Sequence, residues 1–193
     1  EYTTPSISTT QSLRNLGAGL IRYPGGEKSD NYLFSGAPYT SASPRMALKD
    51  TCYWPTNDTN FVQKNTAEKL SKSVVLDFDE FLDMCNTSGA SPLIVVAYDA
   101  AYNSSTCAGK PTKAELITNA VEWVRYANIT KGMGIKYWMI GNESWNSSVY
   151  NGRVSAAQYF IGAHGSAGDS VNGNRHAVAI ILAWRTAYRG RCY

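Results

Sequence analysis

Asn142 and Glu143 follow directly after residues 135–141, a run of aromatic and β-branched residues that ends at a glycine. Such a run predicts a buried strand, and the two polar residues then lie at its carboxyl end. A carboxylic acid in that position can donate and accept protons during a reaction. Glu143 is therefore the candidate catalytic residue of this chain.

Two segments carry a resemblance to a known family. Residues 138–143, Trp-Met-Ile-Gly-Asn-Glu, resemble the fourth-strand motif of retaining glycoside hydrolases with (β/α)8 barrels, a superfamily that includes α-L-arabinofuranosidases and heparanase-like enzymes. Residues 20–26, Leu-Ile-Arg-Tyr-Pro-Gly-Gly, resemble the end of the second strand in arabinofuranosidase-like members. The motifs occur in the family's order, with a strand-like run between them, and the likeness extends over about residues 13–160.

The resemblance implies a role for each matched residue. Glu143 would be the general acid/base, and Asn142 would contact the sugar hydroxyl next to the anomeric carbon. Arg22 either serves the same site or is an arginine with a local partner. Glu27 stands where arabinofuranosidases commonly have Asn, so the resemblance does not extend to the choice of sugar. The residues expected to bind substrate are Asn142, Arg22, Glu27, Tyr98 and Trp145.

Retaining hydrolysis needs a second carboxylate about 5 to 5.5 Å from the acid/base. In the family this nucleophile is a Glu at the end of a much later strand, and no segment of the chain matches it. Asp169, the one acidic residue after Glu143, lies in a glycine-rich segment without a preceding strand. We therefore expect the nucleophile on a separate or missing segment, or a chain that is not a competent enzyme.

The order of the elements predicts an α/β fold with parallel strands alternating with helices. Residues 77–88 have the apolar spacing of a helix, residues 92–98 form a continuous apolar run typical of a covered parallel strand, and Thr112 and Glu115 match a capping box. A complete barrel needs about 250 residues, whereas the chain has 193. We predict one domain over residues 1–193, roughly the first half of a TIM-type barrel, with a tail of uncertain structure at residues 162–193.

Residues 27–75 have no clear period and predict a long loop on the face where barrel active sites form. Its aromatic side chains either pack against sugar rings or form a small core of the loop itself. Asp99, after the middle strand, either binds substrate or caps the next turn, and the cap is favoured. The aromatic residues in question are Tyr32, Phe34, Tyr39, Tyr53 and Trp54.

Composition and charge exclude several classes of function. The net charge is +3, and there is no basic run that would favour nucleic acid. No apolar segment approaches the roughly 20 residues of a membrane span. His164 and His176 are isolated from other metal ligands, so neither a metal nor another cofactor is expected.

Sequons and cysteines indicate a secreted glycoprotein. Six Asn-x-Ser/Thr triplets occur, and a glycan on Asn142 would fill the proposed site. Cys52 and Cys107 both fall in loops that leave the carboxyl ends of strands, so we predict a disulfide between them; Cys85 is expected to be a buried thiol, and Cys192 could pair with another chain. The alternative is that all four cysteines are reduced. The predicted glycan sites are Asn57, Asn86, Asn103, Asn128 and Asn146.

Three functions remain open from the sequence. The first is a portion of a secreted retaining glycosidase acting on plant-type or extracellular polysaccharides, with carbohydrate as its partner and a second chain or an oligomer completing the barrel. The second is a carbohydrate-binding or defence protein that has lost catalysis. The third is a structural glycoprotein that uses half a barrel as an assembly unit.

Overall fold

The computed structural model describes residues 8–46, 76–102, 111–144 and Val154. Two short 3-10 turns, Gly26–Asp30 and Asp99–Tyr102, lie between the regular elements, and a π-helical turn, Tyr126–Thr130, extends the last helix. The helices are α1 (Thr9–Asn15), α2 (Phe78–Ser88) and α3 (Lys113–Arg125), and the strands are β1 (Leu20–Tyr23), β2 (Tyr32–Leu33), β3 (Arg45–Met46), β4 (Ser91–Val96) and β5 (Tyr137–Ile140).

Three strands of the described residues form a parallel sheet in the order β1-β4-β5. Leu20 pairs with Ser91 at one end of the β1–β4 ladder, and Val96 pairs with Ile140 at the end of the β4–β5 ladder. β4 lies in the middle because its continuous apolar run suits a strand covered on both faces. The prediction of an α/β chain with parallel strands and alternating helices is confirmed for this part of the molecule.

Local sequence sets the ends of the two long helices. Asp77 and Glu80 form a capping box at the start of α2, and Thr112 and Glu115 form another at the start of α3. Each box pairs two backbone N–H groups that the first helical turn leaves without partners. Gly89 ends α2 in the left-handed conformation, at φ 80°. The predicted helix at residues 77–88 and the predicted capping box are both confirmed.

An aromatic cluster fills the space between the helices and the sheet. Trp123 of α3 is fully buried, and its ring centroid lies 5.3 Å from that of Phe34, 5.1 Å from Phe78 and 5.5 Å from Tyr32. The side-chain amide of Asn119 donates to the carbonyl of Ser35 at 2.9 Å and so holds the same segment against α3. Tyr32 and Phe34 therefore belong to the main core of the domain rather than to a sugar-binding surface.

The sequence predicted a long loop without a clear period for residues 27–75, and the described part of this segment, residues 27–46, contains short elements. It contains the first 3-10 turn and the antiparallel pair β2–β3, with Tyr32 opposite Met46. Elements of two to five residues are too short to show a helical or strand periodicity, so they could not be predicted from the sequence. Tyr53 and Trp54 lie outside the described residues.

Asn128 fixes the chain just before β5. Its amide nitrogen donates to the carbonyl of Ile135 at 3.1 Å, and its carbonyl oxygen accepts the N–H of the same residue at 2.6 Å. Asn128 is 7% exposed. A glycan on this nitrogen would have to enter the core, so this environment contradicts the glycan predicted at Asn128.

β5 was predicted to be a buried strand, and its burial differs from that prediction. Its side chains are exposed or half-buried, and Tyr137 is 51% exposed. The apolar run therefore predicted the strand correctly and its burial incorrectly.

Cys85 is a free thiol buried in α2, as predicted. Burial raises the pKa of this thiol to about 11.

No helix in the described segments combines the length and the apolarity needed to cross a membrane. The predicted features that lie outside the described residues are the Cys52–Cys107 disulfide, Cys192, Trp145, the glycan sites Asn57, Asn103 and Asn146, and the tail at residues 162–193.

Candidate functional site

The carboxyl ends of β1, β4 and β5 meet at one edge of the parallel sheet. The N–H of Gly141 donates to the carbonyl of Val96 at 2.9 Å, which continues the β4–β5 ladder one residue past β5. Asn142 and Glu143 then leave the sheet beside Asp99, which follows β4. In parallel α/β sheets this edge is where ligands bind.

Arg22 of β1 reaches across the end of β4 to Asn142. Its guanidinium donates a hydrogen bond to Oδ1 of Asn142, although 120 residues separate the two. This contact brings together the two segments that carry the family resemblance. Arg22 is exposed, and the hydrogen bond of its guanidinium is with Asn142, the neighbour of Glu143.

Glu143 is exposed, whereas Asn142 beside it is buried. The backbone of Glu143 has φ 47°, in the left-handed region that side chains other than Gly adopt rarely. Holding a glutamate there costs about 1 kcal/mol or more, and such strain persists only where the surroundings enforce it. The chain therefore presents this carboxylate to solvent through an enforced backbone turn.

Two buried carboxyl groups enforce that turn, one from each side. Oδ1 of Asp30 accepts the backbone N–H of Asn142 at 2.6 Å, and Oδ1 of Asp99 accepts the hydroxyl of Ser144 at 2.9 Å. Asp30 belongs to the first 3-10 turn, and Asp99 opens the second. Glu143 thus lies between two anchored residues.

Burial dominates the electrostatics of Asp99, which is fully enclosed. Removal from water raises the pKa of Asp99 to about 7, although hydrogen bonds with Ser144 and Asp30 act in the opposite direction. Asp99 was expected to cap the turn that follows β4; it opens the 3-10 turn Asp99–Tyr102, and its carboxyl also accepts a hydrogen bond from Ser144. A carboxyl group that titrates near neutrality is a common feature of functional sites.

Gly141 is required at its position by two independent constraints. Its φ is 69°, and a Cβ atom there would lie 2.8 Å from Oγ of Ser144 and 3.1 Å from Oδ1 of Asp99. Gly89 has a similar φ of 80° but no heavy atom within 4 Å of its Cβ position. Comparing substitutions at the two glycines therefore distinguishes the cost of a left-handed backbone, which both have, from the cost of steric crowding, which only Gly141 has.

We predict that Gly141→Ala destabilises the chain by about 2–3 kcal/mol, against about 1 kcal/mol for the matched control Gly89→Ala. In both variants an alanine must adopt a left-handed backbone conformation. Only in Gly141→Ala does the added Cβ also clash with Ser144 and Asp99. Urea unfolding of the three proteins measures the difference. Equal losses in the two variants would contradict the rigid contact between Gly141, Ser144 and Asp99.

The other residues predicted to bind substrate, Tyr98, Glu27 and Trp145, differ in where the structure places them. Tyr98 is 1% exposed, and its hydroxyl lies 2.9 Å from that of Tyr102. Its ring is thus part of the core, which is at odds with the predicted contact to a sugar. Glu27 lies in the first 3-10 turn, where only its backbone is described, and Trp145 lies outside the described residues.

Sequence reasoning missed Asp30 and Ser144. Asp30 lies in a segment that has no helical or strand periodicity. No local sequence signal indicated that its carboxyl would accept a hydrogen bond from a backbone N–H 112 residues away. Ser144 was read only as part of a sequon. The signal that could have found them is the sequence Asn-Glu-Ser after a strand end, because it places a polar residue able to form hydrogen bonds on each side of Glu143.

In the part of the chain that the structure describes, no group of three or more His, Cys, Asp or Glu side chains could hold a metal ion. No family model matches the chain, and no curated protein sequence matches it.

Solved structures of arabinofuranosidases are distantly similar to the chain. The GH51 α-L-arabinofuranosidase of Thermotoga petrophila is 18% identical with a TM-score of 0.46 over 84% of this chain, and another arabinofuranosidase is 18% identical with a TM-score of 0.47 over 83%. The α-L-arabinofuranosidase of Thermotoga maritima, in complex with arabinose, is 17% identical with a TM-score of 0.42 over 84%. The chain spans about a third of each, 32% of their length. These values are too low to assign an activity.

Proposed function

We propose that this chain is part of a secreted, carbohydrate-active protein in which Glu143 is the acid/base of retaining glycoside hydrolysis. The observation that supports the proposal most is the Arg22–Asn142 hydrogen bond, because it joins two segments that were matched to one enzyme family independently. Glu143 lies next to this contact and is exposed to solvent. An acidic side chain in reach of solvent at the ends of parallel strands suits proton transfer to a bound sugar.

The roles of the neighbouring residues follow from their contacts. Arg22 orients the side-chain amide of Asn142 through Oδ1, which leaves the amide N–H groups of Asn142 to donate to a sugar hydroxyl. Glu143 protonates the leaving oxygen and later removes a proton from water. The nucleophilic carboxylate is proposed to come from sequence outside the described residues or from another chain. Asp30 and Asp99 are too deeply buried to attack an anomeric carbon.

The test is hydrolysis and binding by the purified chain, using a panel of aryl α-L-arabinofuranosides and aryl β-glucuronides together with the free sugars. Turnover with retention at the anomeric carbon supports the proposal. Sugar binding without turnover of any member would overturn the catalytic part and favour a carbohydrate-binding protein. Neither binding nor turnover, combined with stable oligomers, would favour the structural glycoprotein.

Secretion and glycosylation belong to the same proposal and have their own test. Asn86 is exposed at the end of α2, whereas Asn128 is buried with both side-chain polar atoms hydrogen-bonded. After expression through the secretory pathway, we expect a glycan on Asn86 and none on Asn128. Peptide mass spectrometry after enzymatic deglycosylation in ¹⁸O water marks each former site. An occupied Asn128 in folded protein would contradict the environment described for it.

A further inference from the structure

One row of side chains shows which face of the parallel sheet the helices cover. Tyr23, Ile94 and Trp138 lie side by side on β1, β4 and β5. The ring of Tyr23 stacks on that of Phe81 of α2, with centroids 4.6 Å apart, and the ring of Trp138 lies 6.2 Å from that of Trp123 of α3. This row therefore points to the face that α2 and α3 cover.

The row one residue earlier on each strand points to the opposite face, because successive side chains of a strand alternate. Its members are Arg22, Leu93 and Tyr137. Arg22 is exposed, Leu93 is half-buried, and Tyr137 is 51% exposed. Leu20, on the same face of β1, is 50% exposed, whereas Val95, further along β4, is fully buried and bounds the patch. We call the surface formed by Leu20, Arg22, Leu93 and Tyr137 the open face.

The composition of the open face is that of a protein contact. Parallel sheets are normally covered on both faces, and exposed apolar patches on proteins commonly mark interaction sites. Tyrosine and arginine are enriched in interfaces between proteins, and they contribute most of the binding energy there more often than other residues. We therefore expect polypeptide to cover this face.

The row across the open face is complementary to itself. It has a cation at one end, an aromatic ring at the other and Leu93 between them, and neighbouring strands lie about 4.8 Å apart. Two such sheets can stack about 10 Å apart with their strands aligned. A two-fold axis parallel to β4 then brings Arg22 of each copy over Tyr137 of the other, and Leu93 of each copy against Leu93. A guanidinium over a tyrosine ring is a favourable cation–π contact, and the symmetry makes this contact twice.

Charge favours a second copy over the rest of the same chain as the cover. Residues 145–193 contain five arginines and one acidic residue, Asp169. A segment of that composition has the same sign of charge as Arg22 and does not complement it. A second copy instead offers the exposed ring of Tyr137.

We propose that the open face is the contact between two copies of this chain, related by a two-fold axis parallel to β4. The face spans three strands of about four residues, roughly 15 Å by 13 Å. That is far smaller than a standard interface, which buries about 800 Å² on each partner. The association is therefore weak and reversible, with a dissociation constant of about 10⁻⁴ M. Glu143 follows β5 and stays at the rim of this contact.

The first experiment is sedimentation velocity of the full chain at concentrations from about 5 to 500 µM, bracketing the constant expected for a weak contact. A reducing agent is included to exclude dimers linked through cysteine. We expect a monomer–dimer equilibrium, and we expect Tyr137→Ser to raise the dissociation constant at least tenfold. Ile129→Ser is the matched control, because Ile129 is 55% exposed but lies in the π-helical turn rather than on the sheet. Circular dichroism checks that both variants fold.

A wild-type chain that stays monomeric at every concentration overturns the inference. In that case protection of Tyr137 from hydroxyl-radical footprinting would show that the chain covers the face with its own residues. Equal weakening by Tyr137→Ser and Ile129→Ser also overturns it, because association would then depend on exposed apolar surface in general.

A second experiment tests the geometry of the contact. Leu93 lies next to the proposed axis, so Leu93→Cys in two copies should be joined by a bismaleimide about 10 Å long, the spacing of packed sheets. Ile129→Cys is the control, and the wild type gives the background from the native cysteines. Covalent dimers of Leu93→Cys above that background support the two-fold arrangement, and none above it would overturn it.

These readouts do not depend on hydrolysis. A dimer without glycosidase activity leaves this inference intact while the proposed function fails. A monomer that hydrolyses glycosides does the reverse.

Discussion

Glu143→Gln is expected to lower the hydrolysis of a glycoside with a poor leaving group by about 10²- to 10⁴-fold, the usual contribution of a general acid. The substitution keeps the size of the side chain and removes the proton that the leaving oxygen needs. Glu143 is exposed, so the variant should fold as the wild type does. The measurement is kcat/KM for a series of aryl and alkyl glycosides.

The dependence on the leaving group distinguishes this role from general damage to the site. An activated aryl group departs without protonation, so its release should be slowed far less by Glu143→Gln than the release of an alkyl group. Asp83→Asn is a matched control, because Asp83 is exposed on α2 and its substitution also removes one carboxylate. A uniform loss across the series, or an equal loss in the control, would contradict the role of Glu143 as acid.

Trp123→Ala is expected to destabilise the fold by about 3–5 kcal/mol, the range measured for removal of a large aromatic ring from a core. Trp123 is fully buried and contacts the rings of Tyr32, Phe34 and Phe78, so its loss leaves a cavity between α3 and the segment that follows β1. Since total stability of a domain is typically about 5–15 kcal/mol, this variant should be largely unfolded at moderate urea. Circular dichroism during urea titration measures the loss.

Trp123→Phe is the matched control for that prediction. The indole N–H of Trp123 is buried and has no acceptor among the described residues, so replacement by Phe removes an unsatisfied donor along with part of the ring. We expect a cost of about 1–2 kcal/mol, well below that of Ala. Equal costs for the two variants would contradict the inference that packing of the aromatic ring is what Trp123 contributes to stability.

The sequence predicted the elements whose signals are local and long enough to read. α2 begins at a capping box and ends at Gly89, and β4 is a continuous apolar run, so each could be placed within one or two residues. The catalytic candidate Glu143 was placed from the strand end before it. The positions needed only the periodicity of side chains and the chemistry of helix ends, whereas the role of Glu143 as acid/base is what the family resemblance implies.

The rest depended on contacts between residues far apart in the chain. In the sequence Tyr32 and Phe34 resemble aromatic residues of a loop, whereas in the structure they pack against Trp123. The role of Asp30 likewise becomes apparent only from its hydrogen bond with Asn142. Arg22 could be assigned to the site only through the resemblance, and its actual partner was not predicted. Burial of β5 and of Tyr98 was misjudged because an apolar run gives no information on which elements cover it.

The double hydrogen bond between Asn128 and Ile135 has a consequence for the order in which the molecule assembles. It closes a loop of only 7 residues, whereas the contacts that build the site span 112 and 120 residues. Short loops form with a small loss of chain entropy, and long-range contacts wait for the rest of the topology. The start of β5 can therefore be fixed early, while Arg22 and Asp30 reach Asn142 late. A chain stalled at that stage would lack the Arg22–Asn142 and Asp30–Asn142 contacts of the candidate site.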